Sequence, residues 1–249
     1  MPLFEVELAI AGDLRLSREF TAEGYHFSPS TNGFSLVFDV SAGSSEEARS
    51  QATAKAQVLV DSITFTKGPS LRCFVSRITQ RRGPEEGTSR VLTTTVSIAA
   101  DAYLVLKCSP EGIEPGLQMA RRVESHPKAE VLTRALRWFA RGVADSDKVD
   151  KFADFWIALE ALADSYEGTD VEPYLCKSCR HVINPRPVGG LLRAYLRSFG
   201  MNTEAESMHT LSAKRGKLFH RALESRALES LGQVERILKT CIQHETCSA

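Results

Sequence analysis

The sequence predicts an α+β fold: a mixed, strand-rich α/β first half followed by an all-helical second half. Three observations carry it. Up to about residue 106, apolar and polar residues alternate in short runs. A stretch rich in Pro and Gly covers residues 108–116. Beyond it, apolar residues recur at every third or fourth position, the period of a helix. The expected domains are residues 1–110, a strand-rich accessory domain, and residues 117–249, a helical bundle with a short insertion.

In the first half, residues 3–10 alternate and predict a strand, as do residues 14–20. Ala11, Gly12 and Asp13 between them supply turn chemistry, which predicts a hairpin. Residues 34–40 are a third strand. Ser44 then opens a helix, with Glu47 three residues later to complete a capping box. Ala48, Ala52, Ala56, Leu59 and Ile63 follow on one face. Residues 71–78 and 91–106 return to strand-like composition around a loop at residues 81–87. No phosphate-cradling glycine loop and no acidic cluster occurs here, so the first half reads as scaffold or recognition domain.

In the second half, Leu132, Leu136, Phe139 and Val143 stripe a helix over residues 127–144. Asp147 is placed to cap the next helix, whose stripe is Phe152, Phe155, Trp156, Leu159 and Leu162. A tight turn between two such helices predicts antiparallel packing. Residues 167–187 form a non-helical insertion. Residues 188–199 are a third helix, with Gly200 as its stop. Two helical pieces, 204–215 and 216–223, and a final helix over 226–243 complete the chain.

Composition narrows the function. With 43% hydrophobic and 25% charged residues, the chain has the make-up of an ordinary globular protein. No run of about 20 apolar residues is present, so neither a transmembrane helix nor a membrane partner is expected. The first residues lack a secretory signal, which makes a cytoplasmic location the expectation. The formal net charge is zero, which argues against coating nucleic acid by bulk charge. Between residues 177 and 221, however, nine basic residues face only Glu204 and Glu206. That excess fits either a phosphate footprint or a solvated basic face.

Within that stretch, Arg215 and His220 stand at an R-x4-H spacing. Arginine stays charged and can fork two donors onto a phosphate. Histidine can take and return a proton near neutral pH. The pair suits phosphodiester chemistry or anion binding; a surface Arg and a satisfied His are the plainer alternative. Five residues along a helix turn the chain by roughly 500°, leaving the two positions about 140° apart. They converge only if Arg215 lies at an irregular helix start or if a second copy brings a matching pair.

The blocks at residues 137–142 and 147–162, followed by Arg215 through His220, resemble a HEPN domain. The Apea-like branch, which carries a "kF…W.ALE.L" block and a later "R…..H", is the most similar. The resemblance covers roughly residues 125–245. It implies a helical bundle that dimerises and, in many members, a metal-independent RNA endonuclease. Arg215 would stabilise charge on the phosphate, His220 would act as general acid and base, and the RNA 2′-hydroxyl would be the nucleophile. Glu160 matches the glutamate of the "ALE" block, or is an exposed or capping acid within the bundle. Two positions depart from the pattern: Gly216 replaces a polar residue after the Arg, and Arg221 replaces a Gly after the His. Some relatives bind RNA or nucleotide, or only dimerise, without cutting. RNA, a second copy of the chain and an antitoxin or sensor protein are the implied partners, in a defence or stress setting.

Cys176 and Cys179 form a CxxC in the insertion. A thioredoxin-type reading needs a strand before and a helix after, and here a loop follows. The pair reads instead as half of a structural zinc site, with no cofactor in catalysis. Cys241 and His244, three apart on the last helix, are the candidate second half; Cys247 and His181 are further candidates. Cys241 equally suits a buried core thiol.

Overall fold

The structure, a computed structural model, describes residues 1–81, 91–93, 106–176, 178–221 and 224–247, with side chains described outside 91–93 and 217–228. The fold is mixed α+β. The chain divides into two compact units, Met1–Arg121 and Arg122–Ala249. Among the described residues, no helix is long and apolar enough to cross a membrane.

The first unit is built on β1 (Leu3–Gly12), β2 (Leu14–Leu16), β3 (Phe20–Ala22), β4 (Tyr25–Ser30), β5 (Gly33–Ser41), α1 (Ser45–Lys67), β6 (Leu71–Arg81), β7 (Val91–Thr93) and β8 (Leu106–Cys108). Six strands form one antiparallel sheet in the order β3-β4-β5-β1-β6-β7. β1 is central, and its alternation sets the core. Phe4, Val6, Leu8 and Ile10 lie directly opposite Val40, Phe38, Leu36 and Phe34 of β5, and all eight are buried. α1 covers this apolar face with Ala48, Ala52, Ala56, Leu59 and Ile63. Ser44 caps α1 by accepting from Glu47 N–H at 3.2 Å, while the Glu47 carboxylate accepts from Gly43 N–H at 2.7 Å.

Two features of this unit differ from the sequence reading. β1 and β2 do not form a hairpin. Both edges of β1 are taken by β5 and β6, and β2 pairs in parallel with β8 in a separate ribbon. Gly12, at φ +148°, turns the chain out of the sheet; a Cβ there would meet the Ser70 carbonyl oxygen at 2.0 Å. The second difference is the stretch at 108–116, which is not a linker. Most of it is the start of α2 (Pro110–Ser125). Pro110 occupies the first helical position, where a missing N–H costs nothing. The glycines serve packing: a Cβ at Gly112 would meet Cys108 Sγ at 2.4 Å, and one at Gly116 would meet Ile63 Cγ1 at 2.6 Å. All but Arg81 of the loop expected at residues 81–87, and most of the strand expected over 91–106, lie outside the described residues; Arg81 itself ends β6.

The second unit contains the end of α2, α3 (Ala129–Ala144), α4 (Lys148–Asp164), a ribbon of β9 (Tyr174–Leu175) and β10 (Val182–Asn184), α5 (Val188–Ser198), α6 (Asn202–Arg221) and α7 (Glu224–Cys247). α4 packs against α3, α5 and α7. Asp147 caps it as its spacing predicts, accepting from Val149 N–H at 2.7 Å and Asp150 N–H at 3.1 Å. Phe152, Phe155, Trp156, Leu159 and Leu162 are all buried, each worth roughly 1.5–3 kcal/mol. Phe139 stacks on Phe155 with ring centroids 5.4 Å apart. Gly200, at φ +74°, ends the α5 region with its N–H on the Arg197 carbonyl, and Met201 N–H reaches Leu196. Where two helical pieces were expected around residue 216, α6 runs through unbroken.

Two glycines of this unit should respond oppositely to alanine. A Cβ at Gly142 of α3 would stand 2.6 Å from Phe155 Cε1, whereas one at Gly216 of α6 would meet nothing within 4 Å. Gly142→Ala should lose about 1–3 kcal/mol by overpacking. Gly216→Ala should gain about 0.5–1 kcal/mol from helix propensity. Chemical unfolding of the two variants beside wild type measures both signs.

Candidate functional site

The two sequence blocks singled out above meet on one carboxylate. Trp156 is buried on α4, and its indole N–H must find an acceptor. One helical turn later, Glu160 supplies it: Trp156 Nε1 donates to Glu160 Oε1 at 2.6 Å. The same oxygen lies 3.4 Å from Arg215 Nη2 on α6. Glu160 is therefore neither a cap nor an idle exposed acid. It is a bridge between a buried ring and a half-exposed guanidinium, with side chains 26% and 42% exposed for Glu160 and Arg215. Next to Arg215, Lys214 Nζ donates to Ser230 Oγ on α7 at 2.8 Å.

His220 stands in the last turn of α6, and its side chain lies outside the described residues. The backbone limits the pair nonetheless. α6 begins at Asn202, so Arg215 is well inside a regular helix and not at an irregular start. Positions 215 and 220 are then about 140° apart round the helix axis. Within one chain, helix geometry directs them to different sides.

The basic excess between residues 177 and 221 is partly spent inside the chain. Arg193 and Arg197 both hold Glu172, at 2.9 and 3.0 Å, and Arg197 also holds Glu206 at 2.8 Å. These two arginines keep the Glu172 carboxyl below its ordinary range, with Arg197 the larger cause. Arg186 donates to the Gly168 and Tyr166 carbonyls. Glu160 and Glu172 lie before the basic stretch in sequence, so counting charges within it missed them. Glu172, Arg193, His209 and Ser212 line a cleft of about 430 Å³ along α5 and α6.

The structure does not bring the four proposed metal ligands together. Cys176 and Cys179 belong to the β9–β10 turn, half-buried and exposed respectively. Cys241 is wholly buried on α7, and burial pushes its thiol up to about 12. Cys241 is thus placed as a core thiol on the apolar stripe of α7. His244 stacks its ring on Phe199 at 4.1 Å. Cys247 closes α7, 3.5 Å from Arg122 Nη1. Among the described residues, no three of His, Cys, Asp and Glu stand together as a metal site.

A second acid of α4 was not read from the sequence. Asp154 is buried, with Arg141 Nε 3.4 Å from its Oδ2. Its carboxyl is raised above the ordinary 3.8, first by burial, against the lowering effect of Arg141. Compared with family models, curated proteins and solved structures, the chain matches none of them.

Two stability experiments follow from these carboxylates. Glu160→Ala leaves the buried Trp156 N–H without its acceptor and should cost about 1–3 kcal/mol. Arg215→Ala removes a half-exposed ion pair while leaving the Trp156 N–H its acceptor, and should cost about 1 kcal/mol or less; Glu160→Gln, which keeps an acceptor oxygen, should be nearly as mild. For Asp154, the folded state holds its proton more tightly than the unfolded chain. Its contribution is therefore complete below the ordinary value of 3.8 and declines as pH rises through the elevated folded value. The stability of wild type relative to Asp154→Asn should fall as pH is raised from about 4, in paired unfolding curves.

Proposed function

We propose that this chain is an RNA-directed protein of the HEPN type, of the Apea-like branch, whose helical unit is a metal-independent endoribonuclease. The observation that carries the reading is the Trp156–Glu160–Arg215 chain. It joins the "W.ALE" block to the R-x4-H block through one carboxylate, although nearly sixty residues separate them in sequence. The side chain this positions is the one the chemistry needs at the phosphate.

In this reading His220 takes the proton of the RNA 2′-hydroxyl as that oxygen attacks phosphorus. The bond from phosphorus to the 5′ oxygen breaks, and the leaving oxygen takes its proton from the imidazolium, which returns the histidine to its neutral form. The products are a 2′,3′-cyclic phosphate and a 5′-hydroxyl end. Arg215 faces the non-bridging oxygens, where a charge-assisted fork is strongest. Until RNA arrives, Glu160 keeps the guanidinium at the surface of α4 and α6. With positions 215 and 220 on different sides of an unbroken α6, this reading pairs Arg215 of one copy with a histidine of another in a homodimer. A cytoplasmic defence or stress role, held in check by an antitoxin or sensor protein, belongs to the same proposal.

A second reading is a non-catalytic RNA- or nucleotide-binding or dimerisation module. Arg215 already engaged by Glu160, with Gly216 and Arg221 beside the motif, favours it.

Total RNA incubated with the purified chain in EDTA separates the two. The nuclease reading expects fragments with 2′,3′-cyclic phosphate ends. It also expects His220→Ala to abolish cleavage and Arg215→Ala to reduce it by about 100-fold, as loss of a transition-state donor does. RNA left intact by wild type, with His220→Ala indistinguishable from it, sinks the nuclease; retained RNA binding would then support the module.

A further inference from the structure

The β9–β10 ribbon carries chemistry that cleavage of RNA does not use. Its strands are short: Val182 pairs with Leu175, and Asn184 with Tyr174. A two-stranded hairpin of this size is marginal by itself in water. It also buries little of its own apolar surface. Tyr174, Val182 and Ile183 are 52%, 45% and 58% exposed, and Val188 just beyond is exposed too. These are four of the seven large apolar side chains exposed among the described residues, gathered within fifteen positions of one another. The base of the ribbon is held firmly, by Arg186 N–H on Asn184 Oδ1 at 2.9 Å and by the Arg186 guanidinium on two carbonyls following α4.

At the tip, two backbone hydrogen bonds hold the turn. Cys176 N–H donates to the His181 carbonyl at 2.8 Å, and Arg180 N–H donates to the Cys176 carbonyl at 3.0 Å. Arg180, at φ +61°, takes the left-handed conformation that returns the chain to β10. A CxxC turn of this kind, with both cysteines accessible, can offer two sulfurs to one ion. Two thiolates are half of a tetrahedral set. Among the described residues no third ligand joins them, and Cys241 is enclosed in α7.

We infer that Cys176 and Cys179 bind a zinc-type divalent cation together with the same two thiols of a second copy, forming a four-thiolate site on a two-fold axis. A two-fold axis lets one exposed pair serve twice. It also lays the apolar strands of the two ribbons around the ion, covering Tyr174, Val182 and Ile183. No redox step occurs: four thiol protons pass to the buffer as four metal–sulfur bonds replace metal-bound water.

The test is titration of the reduced, metal-free, full-length chain with cobalt(II), followed by visible absorbance and light scattering. Tetrahedral thiolate bands saturating at about half an equivalent of cobalt per chain, on a particle of twice the chain mass, are expected. Zinc should displace the cobalt. Cys176→Ser with Cys179→Ser should remove the bands. Val182→Ser with Ile183→Ser, thiols intact, should weaken cobalt binding by about 10-fold, as loss of the surrounding shell does. Saturation at about one equivalent on a single chain, bands surviving the double serine variant, or no bands at all would each overturn the inference. If the helical halves dimerise without metal, the half-equivalent endpoint still decides. His220→Ala leaves this titration untouched, so the metal site and the nuclease fail separately.

Discussion

The indole N–H of Trp156 has to be satisfied where α4 is walled in by other helices, and that requirement organises the second unit. Without an acceptor, a buried donor costs about 1–3 kcal/mol, comparable to what the ring gains by leaving water. Glu160 meets the demand one turn along the same helix. Its carboxylate is then held at a fixed point between α4 and α6, where Arg215 finds it. The ion pair itself adds little stability, being half exposed. Its importance is positional: a requirement of the core decides where a cation stands at the surface.

The legible parts of the fold were those written in local chemistry. Ser44, Asp147 and Gly200 announced helix ends because each acts on backbone groups within three residues of itself. The stripe from Phe152 to Leu162 announced a buried helix because periodicity survives any tertiary arrangement. Strand pairing has no such local signature. β1 and β2 look like a hairpin until one sees that partners far along the chain occupy both edges of β1. A true hairpin, β3 with β4, turns through Glu23 and Gly24, both at positive φ. Glutamate in the first of those positions hides a turn that Asn or Asp would have advertised. Gly112 and Gly116 misled in the other direction, since glycine needed for close packing reads in sequence like glycine of a loop.

The candidate site was legible to the same degree. Arg215 could be singled out from its spacing to His220, but its partner Glu160 lies on another helix, and a motif says nothing of such pairings. Part of the basic excess was spent for the same reason, with Glu172 reaching in from before the ribbon to hold two arginines. Cys241 illustrates how one residue can satisfy two patterns. Its three-residue spacing to His244 suits a metal, and its place on the apolar stripe suits a core. In the structure Cys241 lies enclosed on the apolar stripe, the place the second pattern describes.

The place of β1 bears on how the first unit comes to be. The strand at the centre of the sheet is the earliest in the chain, yet Leu3 meets Ser41 on one side and Arg81 on the other. A growing polypeptide can add β5 first and must then wait for α1 to pass before β6 emerges. During that interval the second edge of β1 offers unpaired N–H and C=O groups to any neighbouring strand. The delay also makes the unit rich in distant pairings, which slow assembly relative to a helical bundle of similar size. Translation therefore exposes the first unit, more than the second, to capture by chaperones or by other nascent chains.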